Sequence, residues 1–326
     1  MAAEAEVAAI TGAAARRRPA GHAGDAVFRG LTVFFALVVL IILVGVIISL
    51  AYGAWPALHR FGFGFFTTSA WNPVTEKFGA LAPIYGTLVT SLIAMLIGIP
   101  VAFGVALFIT ELCPKWLKRP LGTMIELLAA IPSIIYGIWG LFVLAPFIQQ
   151  YVEPVLINTL GNIPGIGVLF AGPPLGIGVL TAGFILAIMV LPFIAAVMRD
   201  VFETVPAMVR ESAYGLGATT GEVVWKVILP FTRVGVFGGI LLGLGRALGE
   251  TMAVTFVIGN SNHIRASILQ PGTTISASLA NEFTEAIGDV YLSSLIALGF
   301  ILCLMTFVVL ALAKLMLIRL EKMAGS

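Results

Sequence analysis

Two charged side chains stand where the sequence least favours them. Arg246 and Glu250 interrupt the otherwise apolar stretch from Val234 to Ile258. A charge at the centre of a hydrocarbon layer costs roughly 2.5–3.5 kcal/mol on insertion scales. Two arrangements offset that cost. Four residues apart on a helix, the pair can neutralise itself and fix helix packing. Alternatively, Arg246 lines a path and grips an anion through its fork of donors, while Glu250 holds the guanidinium when no anion is present. At 100° per residue, Gly235, Gly239, Gly243, Arg246 and Glu250 fall within about 80° of one another. Gly238, Gly245 and Gly249 widen that side, and Val236, Phe237, Ile240, Leu244 and Leu248 occupy the other. The charged stripe is thus a stripe of small residues, which lets helices approach closely or leaves room for a passage. It should face a bundle interior.

The rest of the chain must supply that bundle. Of its 326 residues 60% are hydrophobic and only 10% charged, with a mean hydropathy of +1.08. Soluble domains carry about 25% charged residues. There is too little charge to coat a water-facing surface, so the chain reads as an all-α polytopic membrane protein. A crossing needs about 20 apolar residues. Uncharged runs place five spans at Leu31–Tyr52, Ile84–Thr110, Leu127–Ile148, Leu175–Met198 and Leu292–Ala313, with Val234–Ile258 as a sixth. Pro100 predicts a kink or tilt in the second. The first run is longer than the apolar region of a signal peptide and reads as a retained anchor. Residues 1–26 read as a mobile cytoplasmic tail and 27–323 as a single transmembrane domain. Every Lys and Arg except Arg60, Lys77, Arg265 and the intraspan Arg246 falls on one side of these spans. The positive-inside bias therefore puts both termini in the cytoplasm of a multi-pass cell-membrane protein.

Other chemistries are missing. No Gly is followed by Lys, so no G-x-x-x-x-G-K-[ST] phosphate loop exists, and no H-E-x-x-H occurs. Cys113 and Cys303 have no metal spacing, and the three histidines are scattered. Asp25, Asp200 and Asp289 all lie outside the spans, which disfavours an aspartate proton relay and hence a secondary transporter. No nucleophile–base pair can be assembled, so no catalytic or metal residue is expected. A net charge of +2 does not suggest nucleic acid. Glu126, near the inner end of the third span, reads as an interfacial residue or a cap. The outer stretch Gly53–Pro83 is rich in aromatics, for interfacial anchoring or for docking a partner.

The inner stretch 199–233 reads as two short helices. Thr204 is placed to cap the first, with Pro206 in its first turn, and Gly215 and Gly217 to break it. Thr219 and Glu222 have capping-box spacing for a second helix ending at Pro230. Such a pair can lie on a membrane or plug into a groove on another protein.

The run Glu211-Ser212-Ala213, then Gly217, then Val227-Ile228-Leu229-Pro230 resembles the cytoplasmic "EAA" loop of ATP-binding-cassette importer permeases. Ser212 and Val227 stand where that pattern has Ala and Ile. Ala80–Leu88, Ala129–Gly137 and Gly245–Val254 resemble the phosphate-specific permeases, the C type more than the A type. The resemblance spans about residues 27–320. It implies a six-helix type I (MetI-like) importer permease, with Glu211, Ser212, Ala213, Gly217, Leu229 and Pro230 in a loop that couples to two ATP-binding subunits. It further implies a sister permease, an extracytoplasmic phosphate-binding protein, ATP bound only by partner chains, no cofactor on this one, and Arg246 and Glu250 on the path of inorganic phosphate. Another oxyanion, such as sulfate or molybdate, and the sister phosphate subunit remain open readings.

Overall fold

The computed structural model describes residues 22–324. Most of the expected tail, residues 1–21, lies outside the described residues, and 22–26 already belong to the first helix. Backbone in hydrocarbon must satisfy its own N–H and C=O groups, so apolar runs become helices. Among the described residues six helices are long and apolar enough to cross a membrane: Val27–Phe61, Leu81–Leu112, Ser133–Thr159, Val179–Glu203, Thr220–Leu248 and Asp289–Arg319. Among the described residues there is no β-strand, only an isolated bridge between Asn72 and Lys77.

We label the principal helices α1 (His22–Phe61), α2 (Leu81–Leu107, extended by a π-turn Phe108–Leu112), α3 (Lys115–Ala129), α4 (Ser133–Thr159), α5 (Val179–Glu203), α6 (Ala207–Gly215), α7 (Thr220–Leu248), α8 (Met252–Thr255), α9 (Ile275–Glu282) and α10 (Asp289–Ala324). The described residues fall into two compact units, one up to Ser49 and one from Leu50 onward. In the first, the apolar side chains of α1 are exposed along its length, Leu40, Ile41 and Ile42 among them.

In the second unit α5 is the central helix. Ile185, Leu186, Met189, Val190, Ile194, Met198 and Phe202 are all buried along it. Small residues on its neighbours let them approach. Gly98 of α2 faces Ala187, and Gly122 of α3 lies against the Arg199 guanidinium. Gly235, Gly239 and Gly243 of α7 meet Val201, Val197 and Ile194 in turn. The glycine stripe of α7 is therefore a helix-packing surface against α5.

Four spans lie close to where hydropathy put them, and two differ. The third does not start at Leu127. Pro132 disfavours helix for the residue before it, so α3 stops at Ala129 and α4 begins at Ser133 and runs on to Thr159. The fifth does not span Val234–Ile258. It starts at Thr220, on the capping box, and stops at Leu248. Pro100 lies within unbroken α-helix. Thr204 does not cap α6. Its hydroxyl donates to the Val201 carbonyl at the end of α5, and Pro206 holds the N-cap position. Gly215 and Gly217 do end α6, with Gly217 at a φ of +86° that favours glycine.

Pro230 does not terminate the second short helix of residues 199–233, because a π-turn precedes it. Proline removes a donor and clashes with the carbonyl four residues back. A π-turn, with its i→i+5 pattern, widens the helix locally. Each of the four π-turns among the described residues, Phe108–Leu112, Gly140–Leu144, Ile148–Val152 and Val224–Ile228, ends two residues before a proline: Pro114, Pro146, Pro154 and Pro230.

The outer aromatics divide. Phe65 and Phe78 are buried, and Phe78 stacks on Tyr291 of α10 and meets Trp71 edge-on. Glu282 accepts hydrogen bonds from both the Trp71 indole and the Tyr291 hydroxyl. These rings hold the outer segment onto the bundle. Trp55 and Phe63 remain exposed, as surface anchors would be.

Candidate functional site: a broken helix beside Arg246

The packing ladder places Arg246 in depth. Gly243 lies against Ile194 and Val190, and the Arg246 guanidinium carbon sits 5.6 Å from the centre of the Phe193 ring, within cation–π range. Phe193 is 14 residues beyond Val179, the first residue of α5. At 1.5 Å per residue that is about 21 Å along a helix of roughly 37 Å. The charge is therefore near mid-length of the central helix.

Arg246 and Glu250 do not form the ion pair that their spacing allowed. The helix ends at Leu248, which carries Glu250 off its face. Glu250 instead accepts the Ala253 N–H at 3.3 Å, at the start of α8. The Arg246 Nε is buried without a hydrogen-bond partner. A cation held by an aromatic face, with an unsatisfied buried donor, is an arrangement that an anion can complete.

Beyond the break, residues 249–274 are mostly irregular backbone. Such backbone is tolerated among membrane helices where protein covers it or a cavity adjoins it. Both conditions hold. The Val257 carbonyl accepts the Gly178 N–H, the Gln270 carbonyl the Val179 N–H and the Ile268 carbonyl the Leu180 N–H, which ties the segment to the start of α5. A cavity of about 500 Å³ opens beside it, lined by Gly249, Thr251, Ser276, Phe283, Thr284 and Leu302, among others. The Ser276 hydroxyl is buried and unpartnered. Sequence reading missed this wall because its residues come from three separate segments and none is charged.

The three runs that resemble the phosphate-specific permeases meet around this segment. A Cβ on Gly137 would lie 3.0 Å from the Met252 carbonyl oxygen, and one on Gly86 would lie 1.8 Å from that of Thr273. The neighbouring Thr87 hydroxyl accepts the Ile275 N–H at 3.0 Å and so docks α9. Gly86→Ala is expected to cost about 1–3 kcal/mol through overpacking against backbone, read as lower membrane abundance and a lower melting temperature.

At the other end of α7 the capping box forms. The Thr219 hydroxyl accepts the Glu222 N–H, and the Glu222 carboxylate accepts the Thr219 N–H at 3.1 Å. Thr219→Ala should destabilise this turn by about 1 kcal/mol, seen as faster amide exchange at residues 220–223. Glu211 and Ser212 are exposed, as are the large apolar side chains of Met208, Leu216 and Trp225. Ala213 and Leu229 are half-buried against the core, and Pro230 is exposed. The expected loop residues thus share their stretch of chain with several exposed apolar side chains.

One ion pair there was not anticipated. Arg210, next to Glu211, reaches Glu111 at the end of α2 at 3.0 Å, with side chains 17% and 6% exposed, and also donates to the Phe202 carbonyl. Nothing in the spacing of residues 111 and 210 points to it. Glu126, expected as an interfacial residue or cap, pairs with Arg199 at 2.7 Å.

Comparison with known proteins agrees with this architecture. Residues 98–322 match the profile of the binding-protein-dependent transport system inner membrane component. The chain belongs to that family. This permease family accounts for a multi-pass inner-membrane protein with six apolar helices. The phosphate transport system permease protein PstC of Mesorhizobium japonicum is 60% identical over 302 residues, 93% of this chain and 92% of that relative. PstC of Pasteurella multocida is 56% identical over 304 residues, 93% of this chain and 95% of the relative. A solved bacterial alginate ABC transporter, in complex with its alginate pentasaccharide-bound periplasmic protein, superposes with a TM-score of 0.60 at 18% identity. That match covers 93% of this chain and 99% of the other, and it shows a shared permease fold.

Proposed function

We propose that this chain is a transmembrane subunit of an ATP-driven phosphate importer. The observation that carries the reading is the 60% identity, across nearly the whole chain, to a phosphate transport permease. The chain pairs with a sister permease, two ATP-binding subunits and an extracytoplasmic phosphate-binding protein. Its own residues bind no ATP and no cofactor. Residues 27–323 form the permease domain, with both termini in the cytoplasm, and the loop 199–233 couples to the ATP-binding subunits.

Each role follows from chemistry described above. Phosphate carries one to two negative charges near neutral pH, and a guanidinium offers it two-point hydrogen bonding. Arg246 supplies that grip at mid-depth, where a single cation binds an anion without trapping it. Glu250 keeps binding weak by its charge and, on a free lone pair, accepts a hydrogen bond from protonated phosphate. Closure of the ATP-binding subunits moves α6 and the start of α7. Because α7 runs without a break from Thr220 to Leu248, that motion reaches Arg246 directly.

The test is labelled-phosphate uptake in cells lacking this chain, complemented with it, with sulfate and arsenate as competitors. Uptake should return, resist sulfate and be blocked by arsenate. Uptake blocked by sulfate would assign another oxyanion, and uptake independent of the ATP-binding subunits would assign a secondary transporter.

A further inference from the structure

A second cavity, of about 430 Å³, lies between α3 and the end of α5. Four cations line it, Lys115, Lys118, Arg119 and Arg199, against two carboxylates, Glu126 and Glu203. Arg199 is held by Glu126 and Asp200, and Lys118 by Glu203 and the Thr110 carbonyl. Lys115 and Arg119 are exposed and enter no ion pair among the described residues. At 100° per residue they share one face of α3 with Gly122 and Glu126. The adjoining face carries Trp116, Met124 and Leu127, which are 76%, 57% and 65% exposed. The exposed Thr123 hydroxyl lies at the seam.

From this juxtaposition we infer that the cavity binds the phosphodiester headgroup of an anionic phospholipid. Lys115 and Arg119 hold the phosphate, Thr123 hydrogen-bonds to it, and the acyl chains lie along the apolar face of α3. Free inorganic phosphate shares the headgroup chemistry, but it has no use for an apolar face beside the cations. Basic cavities at membrane-helix ends are suited to anionic lipids. The inference goes beyond the transport reading and does not depend on the transported substrate.

The test uses the complete transporter in nanodiscs of phosphatidylcholine. Brominated phosphatidylglycerol, or brominated phosphatidylcholine as control, is titrated in. The signal is the emission that Trp116→Phe removes. Half-quenching by the anionic lipid should need a mole fraction at least fivefold lower than the control, on a scale of about fivefold per basic residue engaged. The double variant Lys115→Gln/Arg119→Gln should abolish that preference. Thr123→Asp, which adds an opposing charge on an exposed position, should do the same. Equal quenching by the two lipids overturns the inference, as does a preference that survives both variants. Release of the quenching by excess inorganic phosphate overturns it in favour of a soluble occupant.

Discussion

Arg246→Gln should lower phosphate uptake by a factor of about 10 to 150 while the complex still assembles. A hydrogen bond to a charged group contributes about 1.5–3 kcal/mol, and 1.4 kcal/mol is a factor of ten. Glutamine fills much of the same volume beside Phe193 and removes the buried charge, which costs more to desolvate than an amide, so folding should be unharmed. Arg246→Lys keeps the charge but loses the planar fork and should fall between the two. Uptake is measured against membrane abundance of each variant. Wild-type rates in the glutamine variant would return Arg246 to a packing role on Phe193.

The second large effect concerns the pair Arg210–Glu111. Glu111→Gln leaves a largely buried guanidinium without its counter-charge. Removing one partner of such a pair costs about 3–5 kcal/mol. Because the pair ties α6 to the end of α2, the loss should appear first as uncoupling, with more ATP hydrolysed per phosphate imported, and then as a lower melting temperature. Replacing both residues, Glu111→Leu with Arg210→Met, removes the unpaired charge and should restore the melting temperature. Restored stability with poor coupling would place the pair in transmission between loop and bundle. Restoration of both would make it a structural strut alone.

Much of the fold was legible because hydrocarbon admits few solutions. Charge-free runs such as Leu175–Met198 could only be crossing helices, and the Thr219–Glu222 box announced its own helix start. The misreadings have a common cause. Met252–Ile258 is as apolar as a helix, yet Gly249 and its neighbours let the chain break there, and hydropathy does not register a break. Likewise Leu127–Ile131 reads as span, although Pro132 sets the boundary. Arg246 and Glu250 announced a site by their cost. Their separation by a helix end did not follow from a spacing of four. The cavity wall of Thr251, Ser276 and Thr284, and the contact of Gly86 with Thr273, depend on long-range folding that no local pattern encodes.

The π-turn at Val224–Ile228 has a consequence for direction. Each residue of an α-helix turns the chain by about 100°. A π-turn holds one residue more than the α-turn it replaces, so it re-phases everything after it. The azimuth at which Arg246 leaves α7, relative to the capping box at Thr219, is therefore set some twenty residues upstream of the charge. Deleting a single residue there would leave both ends of α7 chemically intact. It would swing the guanidinium about a quarter-turn away from Phe193, or swing the exposed side chains of α6 and the start of α7 by the same angle.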